Sequence, residues 1–160
     1  MMTEIFNTFS TEIIFLHVIS AIIWVGGMIV IRFGVHYSMM EVEDPKIKLG
    51  RTLETLRRFF TMVIPSIILL LLTAIIMIIA LGFKGTELYS TVIIKETIWV
   101  IMVVIFSMIY IKRNKAQKLF DEGNLPAAKA MLAPLPQWMI PANIILGLVA
   151  LYFGITLRGL

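Results

Sequence analysis

The chain contains no cysteine, which excludes disulfides and thiolate metal sites outright. Histidine is nearly as scarce, with only His17 and His36. No conventional zinc site or nucleophile–base arrangement can be assembled from so few donors, and no glycine-rich phosphate loop is present. No Lys or Arg precedes the first apolar run, which follows "MMTEIFNTFSTE", and no small-residue cleavage site comes after it. That pattern argues against a cleaved signal peptide, so the first apolar helix is expected to stay in the mature protein. Internal repeats and low-complexity tracts are missing as well. Charge itself is sparse, at 15% of residues, and four long stretches have none of it.

What fills the chain instead is apolar surface. Of its 160 residues, 59% are hydrophobic and the mean hydropathy is +0.95, against about 45–50% apolar in an ordinary soluble domain. A spanning helix needs roughly 20 predominantly apolar residues. Between Glu12 and Arg32 lie 19 residues without Asp, Glu, Lys or Arg; between Arg58 and Lys84 lie 25, and between Lys129 and Arg158 lie 28. The last of these is useful from about Trp138 onward. Only 15 uncharged residues separate Glu96 from Lys112, about 22 Å of helix, which falls short of a hydrocarbon core of ~30 Å. The third helix is therefore expected to begin upstream, near Thr91, with Lys95 and Glu96 in its first turns. Whether those two side chains turn into the bundle or snorkel outward stays open.

The expected fold is all-α: one integral membrane four-helix bundle with spans over 12–34, 59–82, 91–111 and 138–157. Orientation follows from the basic residues. Arg32, Lys46, Lys48, Arg51, Arg57, Arg58, Lys112, Arg113, Lys115, Lys118 and Lys129 fall in the segments between spans one and two or three and four, whereas Lys84, Lys95 and Arg158 fall on the other side. The positive-inside rule then puts the segments 35–58 and 112–137 in the cytoplasm and both termini outside. The net charge of +4 is thus read as orientation in a lipid bilayer and not as nucleic-acid binding. "EDPKIKLGRTLETLRRFF" is expected to run helically into the second span. Asn124 and Pro126 should open a short helix, with "PLPQWMIP" breaking the chain before the fourth span.

Depth singles out a few polar residues. His17 lies about 7–9 Å below the start of the first span, and Lys95 enters the third from the same side at comparable depth. His17, Lys95 and Glu96 are therefore expected to meet inside the outer half of the bundle, because an ionisable residue facing lipid is costly. His17, Ser20, Ala21, Trp24, Gly27 and Met28 form one stripe at helical steps. Its small residues admit close approach of another helix, of a flat cofactor ring, or of a second copy of the chain as a homodimer. His36 is some 28 Å further along a continuous helix, so the two histidines of one chain cannot share one ion or one haem iron. Arg32 and His36, one turn apart, form a basic pair suited to propionates or lipid phosphates, or simply to anchoring at the interface. His36, Met39 and Met40, at i, i+3 and i+4, offer an imidazole and two thioethers of the kind that suit Cu(I).

The residues that carry chemistry here resemble a known pair of membrane families. "LHVISAIIWVGG" is similar to the first-helix pattern of CopD-type copper-resistance proteins. His17, Trp24, Gly27, Arg32 and His36 stand in the order found in the first helix of HemJ-type protoporphyrinogen oxidases. "LETLRRFFTMVIP", with Pro65, resembles the start of the second helix in the same proteins. Lys95 falls where both families have a lysine opening the third helix, and Asn143 matches a HemJ-type asparagine. The resemblance implies a small multi-pass protein of a prokaryotic inner membrane with a haem, porphyrin or copper connection. In the HemJ-like reading His17 is an axial ligand of haem b, with Trp24, Gly27, Arg32 and Asn143 around the cofactor. Lys95, with Glu96 beside it, neutralises carboxylates or relays protons, and electrons pass to quinone. In the CopD-like reading copper is held at His17, or at His36 with Met39 and Met40. A third reading makes the chain a non-enzymatic membrane subunit or scaffold.

Overall fold

The computed structural model describes residues 2–157; Arg158, counted above among the basic residues, lies outside them. The described residues form helices and short connections only. Helix α1 (Met2–Met40) is followed by α2 (Pro45–Leu81), α3 (Tyr89–Asp121), a short α4 (Leu125–Leu132) and α5 (Ile140–Thr156). Four helices are long and apolar enough to cross a membrane, the fourth running from Leu125 to Thr156. They ascend and descend in turn, so one end of the bundle carries both termini and the α2–α3 connection, and the other carries the remaining two turns. These are called the terminal end and the turn end below.

Local chemistry sets the boundaries. Asp44 Oδ1 accepts from the backbone N–H groups of Lys46 and Ile47 at 2.8 and 3.0 Å, and Pro45 occupies the first turn, where its missing N–H costs nothing. Helix α2 ends at Gly82, whose φ of 61° is open to a residue without Cβ. Asn124 caps α4 by accepting from the Ala127 N–H at 3.2 Å.

Helix continues well past the apolar runs. The segments 35–58 and 112–137 are mostly helical, and α3 begins at Tyr89 and persists to Asp121. "PLPQWMIP" is not a break: after one turn residue, Leu135–Met139 is π-helical and leads directly into α5. Pro134, Pro136 and Pro141 donate no N–H, and a wider i→i+5 register accommodates the missing bonds without ending the helix. Helix α1 carries two further π segments, Ile22–Gly26 and Val30–Val35.

The core sits along the axis. Trp24 meets Phe106 edge to face at 6.1 Å, and Phe106 meets Phe60 likewise at 5.3 Å, locking α1, α2 and α3 together. Near the turn end, the buried Arg113 donates through Nε and Nη2 to the Leu53 carbonyl at 3.2 and 3.0 Å, and through Nη2 to Gln117 Oε1 at 2.9 Å. The outer faces expose Phe15, Val30, Met62, Ile68, Val104 and Ile145. Such an apolar belt suits lipid contact and not water.

Candidate functional site

At the terminal end the four long helices diverge around a cavity of about 880 Å³, within the ~300–1,000 Å³ typical of cofactor and small-molecule pockets. Helix α1 contributes His17 and Trp24, and α3 contributes Lys95, Glu96 and Trp99. The meeting of His17, Lys95 and Glu96 expected from their depth is what the structure contains: all three line this one space.

His17 is held by a partner the sequence did not announce. Its Nδ1 lies 2.8 Å from Thr73 Oγ1 on α2. The Thr73 hydroxyl has a single proton, and its oxygen sits 2.6 Å from the Leu69 carbonyl one turn earlier, which can only accept. That proton is committed to Leu69, so Nδ1 must carry the imidazole N–H and donate to Thr73. When the ring is neutral, Nε2 is then the lone-pair nitrogen, the form in which histidine ligates a metal or accepts a proton, and His17 lines the cavity.

Lys95 and Glu96 are drawn into the cavity's rim and not extended outward. Their side chains retain 18% and 29% exposure, with Nζ 3.6 Å from Oε1. The lysine stem runs beside Gly154 of α5, where a Cβ would stand in ordinary contact, 3.7 Å from Lys95 Cε. The floor is closed by Gly147, where an added Cβ would fall 2.6 Å from Val25 Cγ2 and 3.2 Å from Met102 Cε. Above that floor the indole N–H groups of Trp24 and Trp99 are buried and have no hydrogen-bond partner. Buried donors of this kind are costly to leave unpaired; both face packed protein, and it is the ring surfaces of Trp24 and Trp99 that line the cavity.

The other candidate residues divide. Arg32, His36, Met39 and Met40 line a second cavity of about 920 Å³ at the turn end, so the two histidines do serve separate places. Cu(I) held there by His36, Met39 and Met40 would lie among Arg32, Lys48 and Lys129, whose charges oppose a cation. Among the described residues no group of three or more His, Cys, Asp or Glu side chains could hold a metal ion. Gly27 and Asn143 line neither cavity. The space over Gly27 is filled by the Phe59 ring, so its missing side chain serves helix packing and not a cofactor face. Asn143 is fully buried on α5 with both amide atoms unpaired. The set His17, Trp24, Gly27, Arg32 and Asn143 therefore does not converge on one group; His17, Trp24, Lys95 and Glu96 do, joined by Thr73 and Trp99.

Thr73 was within reach of sequence reasoning, as the last hydroxyl in the uncharged run before Lys84. Trp99 carried the weaker signal of lying one turn from Lys95. Comparison of the chain with protein families, curated proteins and solved structures finds no match in any of the three.

Proposed function

We propose that this chain is a multi-pass protein of a prokaryotic inner membrane, with both termini outside, that binds haem or a porphyrin and passes electrons to quinone, in the manner of HemJ-type proteins. The observation that carries the reading is His17: it lines a cofactor-sized cavity and its Nδ1 is held by Thr73, which in the neutral ring leaves the lone pair on Nε2. The residues around it fit the group. His17 would hold the iron through Nε2, and Lys95 would supply a cation for a propionate or for a substrate carboxylate. The Trp24 and Trp99 rings supply flat apolar walls. Haem, when bound, supplies one-electron chemistry.

The chain's own part is binding and proton handling. Thr73 fixes the orientation of the His17 ring. Lys95 holds a carboxylate at the rim, and Glu96, paired with Lys95 at 3.6 Å, accepts a proton and returns it to the terminal side. Apolar walls from Leu70, Ala74 and Met102 keep water from the cavity's interior.

The test is a visible absorption spectrum of the purified full chain, before and after addition of haem. A Soret band that His17→Ala removes and His36→Ala leaves unchanged is expected. Absence of any Soret band from the wild-type protein after reconstitution would sink the proposal. A copper-handling role is the second reading, favoured by His36, Met39 and Met40 lining one cavity. It requires near-stoichiometric Cu(I) binding that His36→Ala abolishes. A scaffold role requires neither signal.

A further inference from the structure

We infer that the turn-end cavity is a binding site for the phosphate headgroup of an anionic membrane lipid, with Arg32 as its central cation. This stands apart from the haem reading, because it concerns the other cavity and other residues.

Charge comes first. Arg32, Lys48 and Lys129 line the space with a single acid, Glu43. None of the three cations makes an ion pair among the described residues. Arg32 Nη1 is buried and has no hydrogen-bond partner. The guanidinium lies instead against the Phe33 and Tyr37 rings, 5.5 and 5.4 Å from their centroids. Those contacts hold it in place but use none of its N–H groups. Nη1 faces packed protein, while Nε and Nη2 make no hydrogen bond among the described residues and are left for a phosphate oxygen, which guanidinium binds strongly.

Depth and wall chemistry then select a lipid over a free anion. Arg32 is the first charged residue after the uncharged run of α1, as Arg58 is the last before that of α2 and Lys112 the first after that of α3. All three mark one boundary of the apolar belt, and half-exposed Trp138 follows Gln137 of the cavity wall at the start of the fourth apolar stretch. Lipid phosphates lie at that level of a bilayer. The remaining walls are apolar, from Leu49, Leu56, Leu132 and Ile140, which suits the glycerol and first acyl carbons of a lipid and gives nothing to inorganic phosphate.

The experiment is native mass spectrometry of the full chain in detergent, titrated with phosphatidylglycerol, with phosphatidylcholine, and with inorganic phosphate as competitor. The wild type is expected to retain one phosphatidylglycerol per chain in preference to phosphatidylcholine. Lys129→Gln, an exposed position whose change leaves the fold intact, should weaken that preference about fivefold, the worth of one interfacial charge. Arg32→Gln should weaken it further. Arg51→Gln, exposed and outside the cavity, should not change it. Equal retention of phosphatidylcholine, an equal loss in Arg51→Gln, or displacement of the lipid by millimolar inorganic phosphate would each overturn the inference.

Discussion

Replacing Thr73 by valine tests the proposed cofactor site through an atom that no cofactor would touch. Valine keeps the β-branched shape, so packing against α1 is preserved, but it removes the oxygen that receives the His17 Nδ1–H at 2.8 Å. If the ring stays as it is, a buried N–H loses its acceptor at a cost of ~1–3 kcal/mol. The ring has a cheaper escape, which is to move its proton to Nε2. That tautomer carries an N–H where a ligand needs a lone pair, so the loss transfers from stability to binding. Removing the group that orients a ligating histidine typically costs about 10–100-fold in affinity. Thr73→Val is therefore expected to weaken haem binding by that factor while lowering the melting temperature by only a few degrees, at ~2–4 °C per kcal/mol for a chain of this size. Titration of the haem-free protein, followed at the Soret band, measures the first quantity, and thermal unfolding in detergent measures the second. Thr73→Ser retains the oxygen and should recover most of the affinity. The reasoning fails if Thr73→Val binds haem as the wild type does, or if serine does not rescue it.

Three further outcomes follow from the geometry. Gly147→Ala should cost about 1–3 kcal/mol of stability by overpacking, because the new methyl would press on Val25 Cγ2 and Met102 Cε; a melting temperature equal to that of the wild type would contradict the close approach of α1 and α5. Arg113→Met should destabilise the turn end by roughly 1.5–3 kcal/mol, the usual worth of hydrogen bonds to a charged group, since the two bonds to the Leu53 carbonyl tie α3 to α2 and Gln117, on α3 itself, steadies the guanidinium; thermal unfolding reads it directly. Glu54, bonded by Arg57 and then Arg58, is held well below its ordinary 4.5, at about 2. What its ionised form contributes is thus complete above pH about 4.5 and is lost as the pH falls through about 2. A carboxyl-carbon NMR titration with a midpoint at or above 4.5 would contradict the two ion pairs.

The four helices long and apolar enough to cross a membrane were legible because spanning lipid is a one-dimensional requirement, and charge-free length is enough to apply it. Their ends were not. Beyond the apolar runs nothing but capping stops a helix, so α2 reaches back to Asp44 and α3 forward to Asp121. The prolines at 134, 136 and 141 read as a break because proline is weighed as the loss of an α-helical bond; a π turn avoids that loss and leaves no mark in composition. Depth along the chain was enough to bring His17, Lys95 and Glu96 together, since antiparallel helices fix height before they fix rotation. Rotation was the missing coordinate. It decides that Phe59 and not a ligand covers Gly27, that Asn143 points into packed protein, and that Thr73 is the hydroxyl that meets His17.

The separation of the two cavities decides which cation can serve which ligand. Arg32 lies fifteen residues beyond His17 on α1, about 22 Å along a helix, and the two π segments of α1 fall between His17 and His36. A ring ligated through His17 cannot extend its carboxylates across that distance, and Gly147, Val25 and Met102 close the way between the cavities. Lys95 is therefore the cation for a group in the terminal cavity, and Arg32 is left to an occupant of its own. The two assignments come apart under mutation. Lys95→Met should weaken haem binding and leave lipid retention alone, whereas Arg32→Gln should release the lipid and leave the Soret spectrum unchanged. A spectrum that shifts in Arg32→Gln and not in Lys95→Met would mean that one ligand bridges both cavities, which requires α1 and α5 to part at Gly147.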